Sequence, residues 1–206
     1  MPEITRIIEK RGLARVQVDG EPFAEIDLDT MLSRGLYEGL SLTQEELDEV
    51  RLEGERSLAL SRAFRYLGYR ARSIWEVRER LIRYGYGEQT IEEVLLRLQE
   101  LGYLDDLQFA RQVASERSGK YGPRRVMEDL RRSGVDERAA REAVEEEFSG
   151  VSEYETAHAA VRRRYNDHEG SDALARRVHG FLARRGYSPE ICSEIAREYR
   201  GDRGGL

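Results

Sequence analysis

A glycine recurs at nearly constant intervals along the body of the chain, and this repeat constrains the fold more than any other feature. Gly85, Gly134 and Gly186 are separated by 49 and 52 residues. When these glycines are aligned, three offsets are apolar in every copy: Val77, Val126 and Val178; Leu81, Leu130 and Leu182; Val94, Ala143 and Ile195. An internal period of this length indicates an array of similar helical units.

The first copy shows how one unit is built. Ser73 followed by Glu76 is a capping box, which predicts a helix beginning at Ile74. Gly85 takes the position after the helix where left-handed backbone favours glycine, and Tyr86 is placed to fold back onto that helix. The next helix carries an inward stripe closed by Gly102: Ile91, Val94, Leu95, Leu98 and Leu101. The pattern therefore predicts that each unit is a three-helix module.

Start signals for the remaining helices agree with the repeat. They are Asp105, Gly122-Pro123, Asp136, Ser152 with Glu155, Ser171-Asp172 and Ser188-Pro189. We therefore predict three-helix repeats at residues 56–104, 105–149 and 151–200. A core of about 50 residues is marginal alone, so neighbouring units must stack, and we expect a mainly α, elongated array.

Residues 1–55 have a different character. Alternating apolar residues over 3–28, a turn at Lys10-Arg11-Gly12 and the hairpin signal Asp19-Gly20 predict strands. Thr43 with Glu46 is a capping box that opens an acidic helix, which we expect to end near Glu53, with Gly54 as a break. This acidic extension, a β-hairpin plus a helix, holds 6 basic and 14 acidic residues, against 28 and 26 in the rest of the chain.

Composition restricts the class of protein. Charged residues make up 36% and hydrophobic residues 39%, with only 4 prolines, which suits a charge-rich helical protein. The single cysteine, Cys192, excludes an internal disulfide and fits a reducing compartment. No apolar run approaches the roughly 20 residues that cross a bilayer, and the N-terminus lacks a secretory h-region. We expect a cytoplasmic protein without membrane contact.

The chain resembles the RecX family over nearly its whole length. The residues that carry this resemblance are Tyr69-Arg70-Ala71-Arg72-Ser73, Glu76-Val77-Arg78, Leu81, Gly85-Tyr86, Ile91, Val94-Leu95, Leu98, Leu101-Gly102, Asp105-Asp106, Phe109-Ala110 and Gly134-Val135. The third repeat departs from the family pattern, because HEGSDALARRVHGFL has fewer basic residues before its second helix.

The resemblance implies regulation rather than catalysis. RecX proteins are cytoplasmic bacterial modulators of the recombinase RecA that are built from tandem three-helix repeats. They bind in the groove of the RecA–DNA filament and usually limit its growth, strand exchange and coprotease activity in DNA repair and the SOS response. The expected partners are therefore RecA and its nucleoprotein filament, with weak direct contact to DNA. We expect a monomer without a cofactor.

A search for an active site gives little. The three histidines, His158, His168 and His179, do not stand at metal-ligand spacing with Cys192, which is interpreted as a small core residue. Residues 166–169 are polar enough to bind an ion but read better as a solvated loop. Asp105-Asp106 is better explained by a helix N-terminus than by paired catalytic carboxylates. No phosphate-binding loop is present. We predict that the chain is not an enzyme and holds no metal.

Basic clusters are the better candidates for function. They surround the second helix of each repeat and comprise Arg70, Arg72, Arg78 and Arg80; Lys120, Arg124, Arg125, Arg131 and Arg132; and Arg176, Arg177, Arg184 and Arg185. Arginine binds phosphate oxygens and acidic protein patches through its planar fork of donors. The alternative is solvated surface with helical partners such as Glu128–Arg132. Of the tyrosines nearby, Tyr66 and Tyr86 fit core or cap packing, and others fit stacking on a partner.

Two other readings of the whole chain remain. A helix–turn–helix pair with a glycine turn also describes a stand-alone DNA-binding protein, although the net charge of −6 argues against it. The other alternative is that the chain is a purely structural helical scaffold. The sequence leaves open whether the recombinase is inhibited or stimulated, how the chain lies on the filament, and what the acidic extension does.

Overall fold

A computed structural model describes residues 1–165 and 169–200, which divide between Leu104 and Asp105 into two compact units. The first unit opens with an antiparallel sheet in the order β1-β2-β3, formed by strands Ile4–Lys10, Leu13–Val18 and Glu21–Asp27. Both connections are two-residue turns with positive φ, at Arg11-Gly12 and Asp19-Gly20. The strand-rich front and its turns are confirmed, since such turns match the twist of a hairpin.

Helices cover one face of this sheet. After the short α1 (Leu28–Ser33), the chain enters the 24-residue α2 (Gln44–Leu67) through the predicted Thr43–Glu46 capping box. The sheet side chains Ile4, Val16 and Ile26 are at most 2% exposed and form one core with Val50 of α2. The small sheet is therefore stabilised by packing on a long helix, as an isolated three-stranded sheet would require.

Gly54 does not break this helix, so the expected end near Glu53 is wrong. α2 continues through Gly54 to Leu67, and the boundary expected between residues 55 and 56 falls inside it. A Cβ added at Gly54 would fall well inside van der Waals contact with Cγ2 of Ile26. The glycine is present because helix and strand approach closely there, which outweighs its low helix propensity.

The rest of the chain consists of three-helix units. The C-terminal part of α2 packs with α3 (Ile74–Arg83) and α4 (Glu88–Glu100). The second repeat contains α5 (Asp106–Ser118), α6 (Pro123–Arg132) and α7 (Glu137–Phe148), and the third contains α8 (Glu153–Tyr165), α9 (Asp172–Arg184) and α10 (Pro189–Glu198). The predicted caps Ser73, Asp105, Asp136 and Ser171 each accept backbone hydrogen bonds. The mainly α architecture is confirmed.

Burial follows the predicted repeat register. Gly85, Gly134 and Gly186 all have left-handed backbone, with φ of 86°, 73° and 80°. The nine aligned valine, leucine, alanine and isoleucine positions are all at most 3% exposed. Leu101 is an exception to the predicted stripe, because it is 43% exposed. α4 ends one residue earlier, and the turn at Gly102 returns Leu104 to the core instead.

Within the second unit, two loops meet backbone to backbone. The N–H of Gly122 donates to the carbonyl of Arg185 at 2.8 Å, and the N–H of Arg124 donates to the carbonyl of Gly186 at 3.2 Å. These bonds use donors at the start of α6 that have no partner within the helix. The contact, called here the loop junction (residues 122–124 with 185–186), fixes the end of α9 against the start of α6.

Candidate binding surface

Local acids neutralise most of the first basic cluster. Nη2 of Arg70 lies 2.6 Å from Oε1 of Glu76, the residue that also completes the capping box of α3. Nη1 of Arg72 lies 3.7 Å from the same oxygen, while its guanidinium lies 4.1 Å from the ring centre of Tyr66. Arg70 and Arg72 therefore share one carboxylate and brace the entry to α3, where part of their charge is already compensated.

Arg78 is also paired, with two acids of α4. It forms ion pairs with Glu88 and Glu92. The hydrogen bond to Glu92 raises the pKa of Arg78 and lowers that of the Glu92 carboxyl. These contacts tie α3 to α4, so Arg78 has a structural role that does not depend on a binding partner.

Arg62 of α2 and Arg80 of α3 each lie near the rings of two tyrosines. Arg80 lies 5.4 Å from the ring centre of Tyr66 and 4.9 Å from that of Tyr84, and Arg62 lies 5.0 Å from Tyr84 and 5.4 Å from Tyr86. Neither arginine forms an ion pair with a carboxylate in the described ranges. The sequence did not single out Arg62, because it lies on the first helix of its repeat. Cation–π contacts fix these guanidinium groups without neutralising them.

The second cluster divides along α6. Arg125 forms ion pairs with Glu128 and Asp129. Arg132 forms an ion pair with Glu128, as expected if this surface is solvated and its charges have partners on the same helix. Arg131 contacts Glu137 at 2.7 Å. Its hydrogen bonds, followed by that of Arg141, lower the pKa of the Glu137 carboxyl to about 2. The C-terminal half of α6 is thus neutralised.

Seven cations of the predicted clusters form no ion pair with any carboxylate that the structure describes: Arg80, Lys120, Arg124, Arg176, Arg177, Arg184 and Arg185. The loop junction brings Lys120 and Arg124 beside the end of α9. There, Nη1 of Arg185 donates to the carbonyl of Lys120 at 3.1 Å, and its guanidinium lies 4.5 Å from the ring centre of Phe181. Arg176 and Arg177 are exposed about two turns earlier in α9.

Arg124 and Arg184 line the same groove, which has a volume of about 460 Å³ and runs between α6 and the end of α9. His179 also lines it, and Glu128 is the one acidic lining residue, already engaged by Arg125 and Arg132. Arg124 and Arg125 of the second sequence cluster and Arg184 of the third therefore meet at one surface, which we call the junction groove. The first cluster belongs to the other unit.

The other residues considered for catalysis or metal binding are explained by the structure. Cys192 is 1% exposed, its thiol donates to the carbonyl of Tyr187 at 3.6 Å, and burial raises the pKa of the thiol. Asp105 caps α5. No group of three potential metal ligands occurs among the described residues, and residues 166–168 of the polar loop lie outside them. No helix within the described part of the chain is both long and apolar enough to cross a membrane.

Three family models match successive parts of the chain: "RecX, first three-helix domain" over residues 59–98, "RecX, second three-helix domain" over 105–144 and "RecX, third three-helix domain" over 152–195. "Regulatory protein RecX" of Bacillus licheniformis is 30% identical, with 99% of this chain and 81% of that protein covered. The same-named protein of Lactobacillus johnsonii is also 30% identical, with 79% and 60% covered. A solved "regulatory protein RecX" shares the fold, with a TM-score of 0.65 at 19% identity over 96% of this chain and 100% of that one.

Proposed function

The chain belongs to the RecX family, and on that premise we propose that it binds the RecA–DNA filament and limits its ATPase, strand-exchange and coprotease activities. The relatives are named regulatory proteins, and we assign this chain a regulatory rather than a catalytic role. That role requires the chain to share the bacterial cytoplasm with RecA, where it would act in DNA repair and the SOS response.

The observation that carries the proposal is the junction groove. Arg124 and Arg184 line it without a described carboxylate partner, so a ligand would not have to displace an existing ion pair. A guanidinium that is free to bind presents its donors to phosphate oxygens or to acidic side chains of a protein. The other arginines of α6 instead form ion pairs with carboxylates of α6 and α7, namely Arg125 and Arg132 with Glu128 and Arg131 with Glu137.

The first unit contributes a second surface of the same kind. Arg62 and Arg80 keep their charge while tyrosine rings fix their guanidinium groups. Two surfaces on one chain raise the overall affinity for a repeating filament through effective concentration, without one strong site. A body bound in this way limits the filament by excluding incoming DNA and client proteins from its groove, or by capping its growing end.

The proposal is tested by comparing two substitutions on α6. Arg124→Gln removes a cation that has no described carboxylate partner, and Arg132→Gln removes one that Glu128 already neutralises. Binding to RecA assembled on single-stranded DNA is measured by co-sedimentation. We expect Arg124→Gln to weaken filament binding by about tenfold and Arg132→Gln to change it little. Equal and unaltered binding of both variants would remove the junction groove from the interface.

A second candidate function is DNA binding without RecA. The unpaired cations next to the glycine-containing loops favour it, while the net charge of −6 opposes it. Titration of the full chain with bare duplex DNA separates the two functions. Tight binding with a steep salt dependence and no effect on RecA would support the second function.

A further inference from the structure

A second recess lies at the loop junction within the same unit. It has a volume of about 540 Å³ and is bordered by the end of α5, the last turns of α8 and the end of α9. Four of its lining residues are basic, namely Lys120, Arg163, Arg164 and Arg185, and no lining residue is acidic. We call it the α8 cleft. The sequence clusters did not include Arg163 and Arg164, because they lie on the first helix of the third repeat.

Two of these cations are held in place by an aromatic ring. The guanidinium carbons of Arg164 and Arg185 lie 5.3 Å and 4.5 Å from the ring centre of Phe181, which is 7% exposed. Arg185 also donates to the carbonyl of Lys120. A ring fixes a guanidinium through its face and leaves the edge N–H groups available, so the donors are oriented before a ligand arrives.

The charge of the cleft is not compensated by the part of the chain that the structure describes. None of the four cations forms an ion pair with a described carboxylate. Glu147 lies nearby but accepts a hydrogen bond of 2.6 Å from Ser118 at the edge of the cleft. Elsewhere the chain pairs many of its arginines with acids, and four like charges in one concave site repel each other unless a polyanion binds.

We propose that the α8 cleft binds successive phosphodiester groups of a single nucleic-acid strand. This inference rests on the proposed function and names a ligand for one part of the surface. Several cations without an intervening acid match a strand that carries one charge per nucleotide, whereas an isolated carboxylate would engage one of them. A recess of about 540 Å³ has room for the phosphate groups of one strand's backbone.

The test uses the two cations that do not contact Phe181. Lys120 and Arg163 are both exposed, so Lys120→Gln with Arg163→Gln should leave the fold intact. Arg138→Gln is the matched control, because Arg138 is exposed on α7, forms no ion pair with a described carboxylate and does not line the cleft. Affinity for a fluorescent oligothymidylate is measured by anisotropy at several salt concentrations, and helical content by circular dichroism.

We expect the double variant to bind the oligothymidylate at least about tenfold more weakly. Its plot of log affinity against log salt should be less steep by about 1.4, since each lost single-strand phosphate contact removes about 0.7. Arg138→Gln should match the unsubstituted chain. An equal loss in Arg138→Gln, or no loss in either variant, would overturn the proposal.

A third measurement separates this site from the proposed function. If the double variant keeps its affinity for the oligothymidylate but no longer binds RecA in the absence of DNA, the cleft recognises an acidic protein surface and the nucleic-acid assignment is wrong. If it loses oligothymidylate affinity while the unsubstituted chain has no effect on RecA, the cleft assignment stands and the proposed function fails.

Discussion

The backbone N–H of Gly122 donates a 2.8 Å hydrogen bond to the carbonyl of Arg185, joining the loop before α6 to the loop after α9. A Cβ on Gly122 would lie 2.6 Å from the carbonyl oxygen of Gly186, so the two loops can approach only because this side chain is absent. The α8 cleft includes Lys120 and Arg185 from these two loops, and the junction groove includes Gly186 together with Arg124 at the start of α6. The geometry of both candidate sites therefore depends on one backbone contact.

Gly122→Ala should consequently destabilise the second unit by about 1–3 kcal/mol, because the neighbouring atoms are backbone and cannot rotate away. Gly119→Ala is the control, since its added Cβ would meet nothing within 4 Å and its φ of −68° suits alanine. The control should change the free energy of unfolding by no more than about 1 kcal/mol, in the stabilising direction. Urea unfolding measures both, and equal stabilities would refute the close approach.

Gly54→Ala should loosen the contact between α2 and the sheet. The new methyl group overlaps Cγ2 of Ile26, and we expect a loss of about 1–3 kcal/mol in the first unit. Gly68→Ala is the comparison, because its Cβ would meet carbonyl oxygens at 3.5 Å or more. If thermal unfolding followed by circular dichroism shows Gly54→Ala to be as stable as the parent chain, the packing of Ile26 on this helix is wrong.

The Arg131–Glu137 pair predicts an acid-sensitive contribution to stability. The folded pKa of Glu137 is lowered to about 2 from an ordinary 4.5. The contribution is therefore complete above about pH 4.5 and is lost as pH falls towards 2. Arg131→Gln should raise the pKa of the Glu137 carboxyl partway towards 4.5, because Arg141 still contributes. Carbon-13 NMR titration of the Glu137 carboxyl measures this pKa. An unchanged pKa in Arg131→Gln would show that Arg131 and Glu137 do not pair in solution.

Cys192 provides a probe of the second unit. The thiol is 1% exposed and burial raises its pKa, so labelling by a thiol reagent at neutral pH should be slow in the folded chain. Labelling should accelerate sharply in urea, and earlier in Gly122→Ala than in Gly119→Ala. Rapid labelling in the absence of denaturant would contradict the buried position.

Local signals in the sequence predicted the repeat well. The inward positions of a helix and its caps depend on spacing within one element, so Leu81, Leu130 and Leu182 were placed correctly in three cores. The same reasoning failed at Gly54, because the cause is Ile26 on a strand distant in sequence. It failed at Leu101 because a one-residue difference in where α4 ends decides which leucine returns to the core.

Whether an arginine is paired with a carboxylate was harder to predict than where the arginine lies in the fold. The Glu128–Arg132 pair follows from helical spacing and was anticipated. The partners of Arg78 and Arg131 lie across a turn on the next helix, so the sequence could not show that these arginines are neutralised and that Arg124 is not. The basic character of the surface was predicted, but the division into paired and unpaired cations required three dimensions.

The most direct test of the central claim is ATP hydrolysis by RecA on single-stranded DNA while the full chain is titrated in. A filament modulator predicts a fall in hydrolysis at amounts well below one chain per RecA subunit, because capping or destabilising a filament affects many subunits. Arg124→Gln should require more protein for the same fall, and Arg132→Gln should not. Hydrolysis that stays constant across the whole titration would contradict the account.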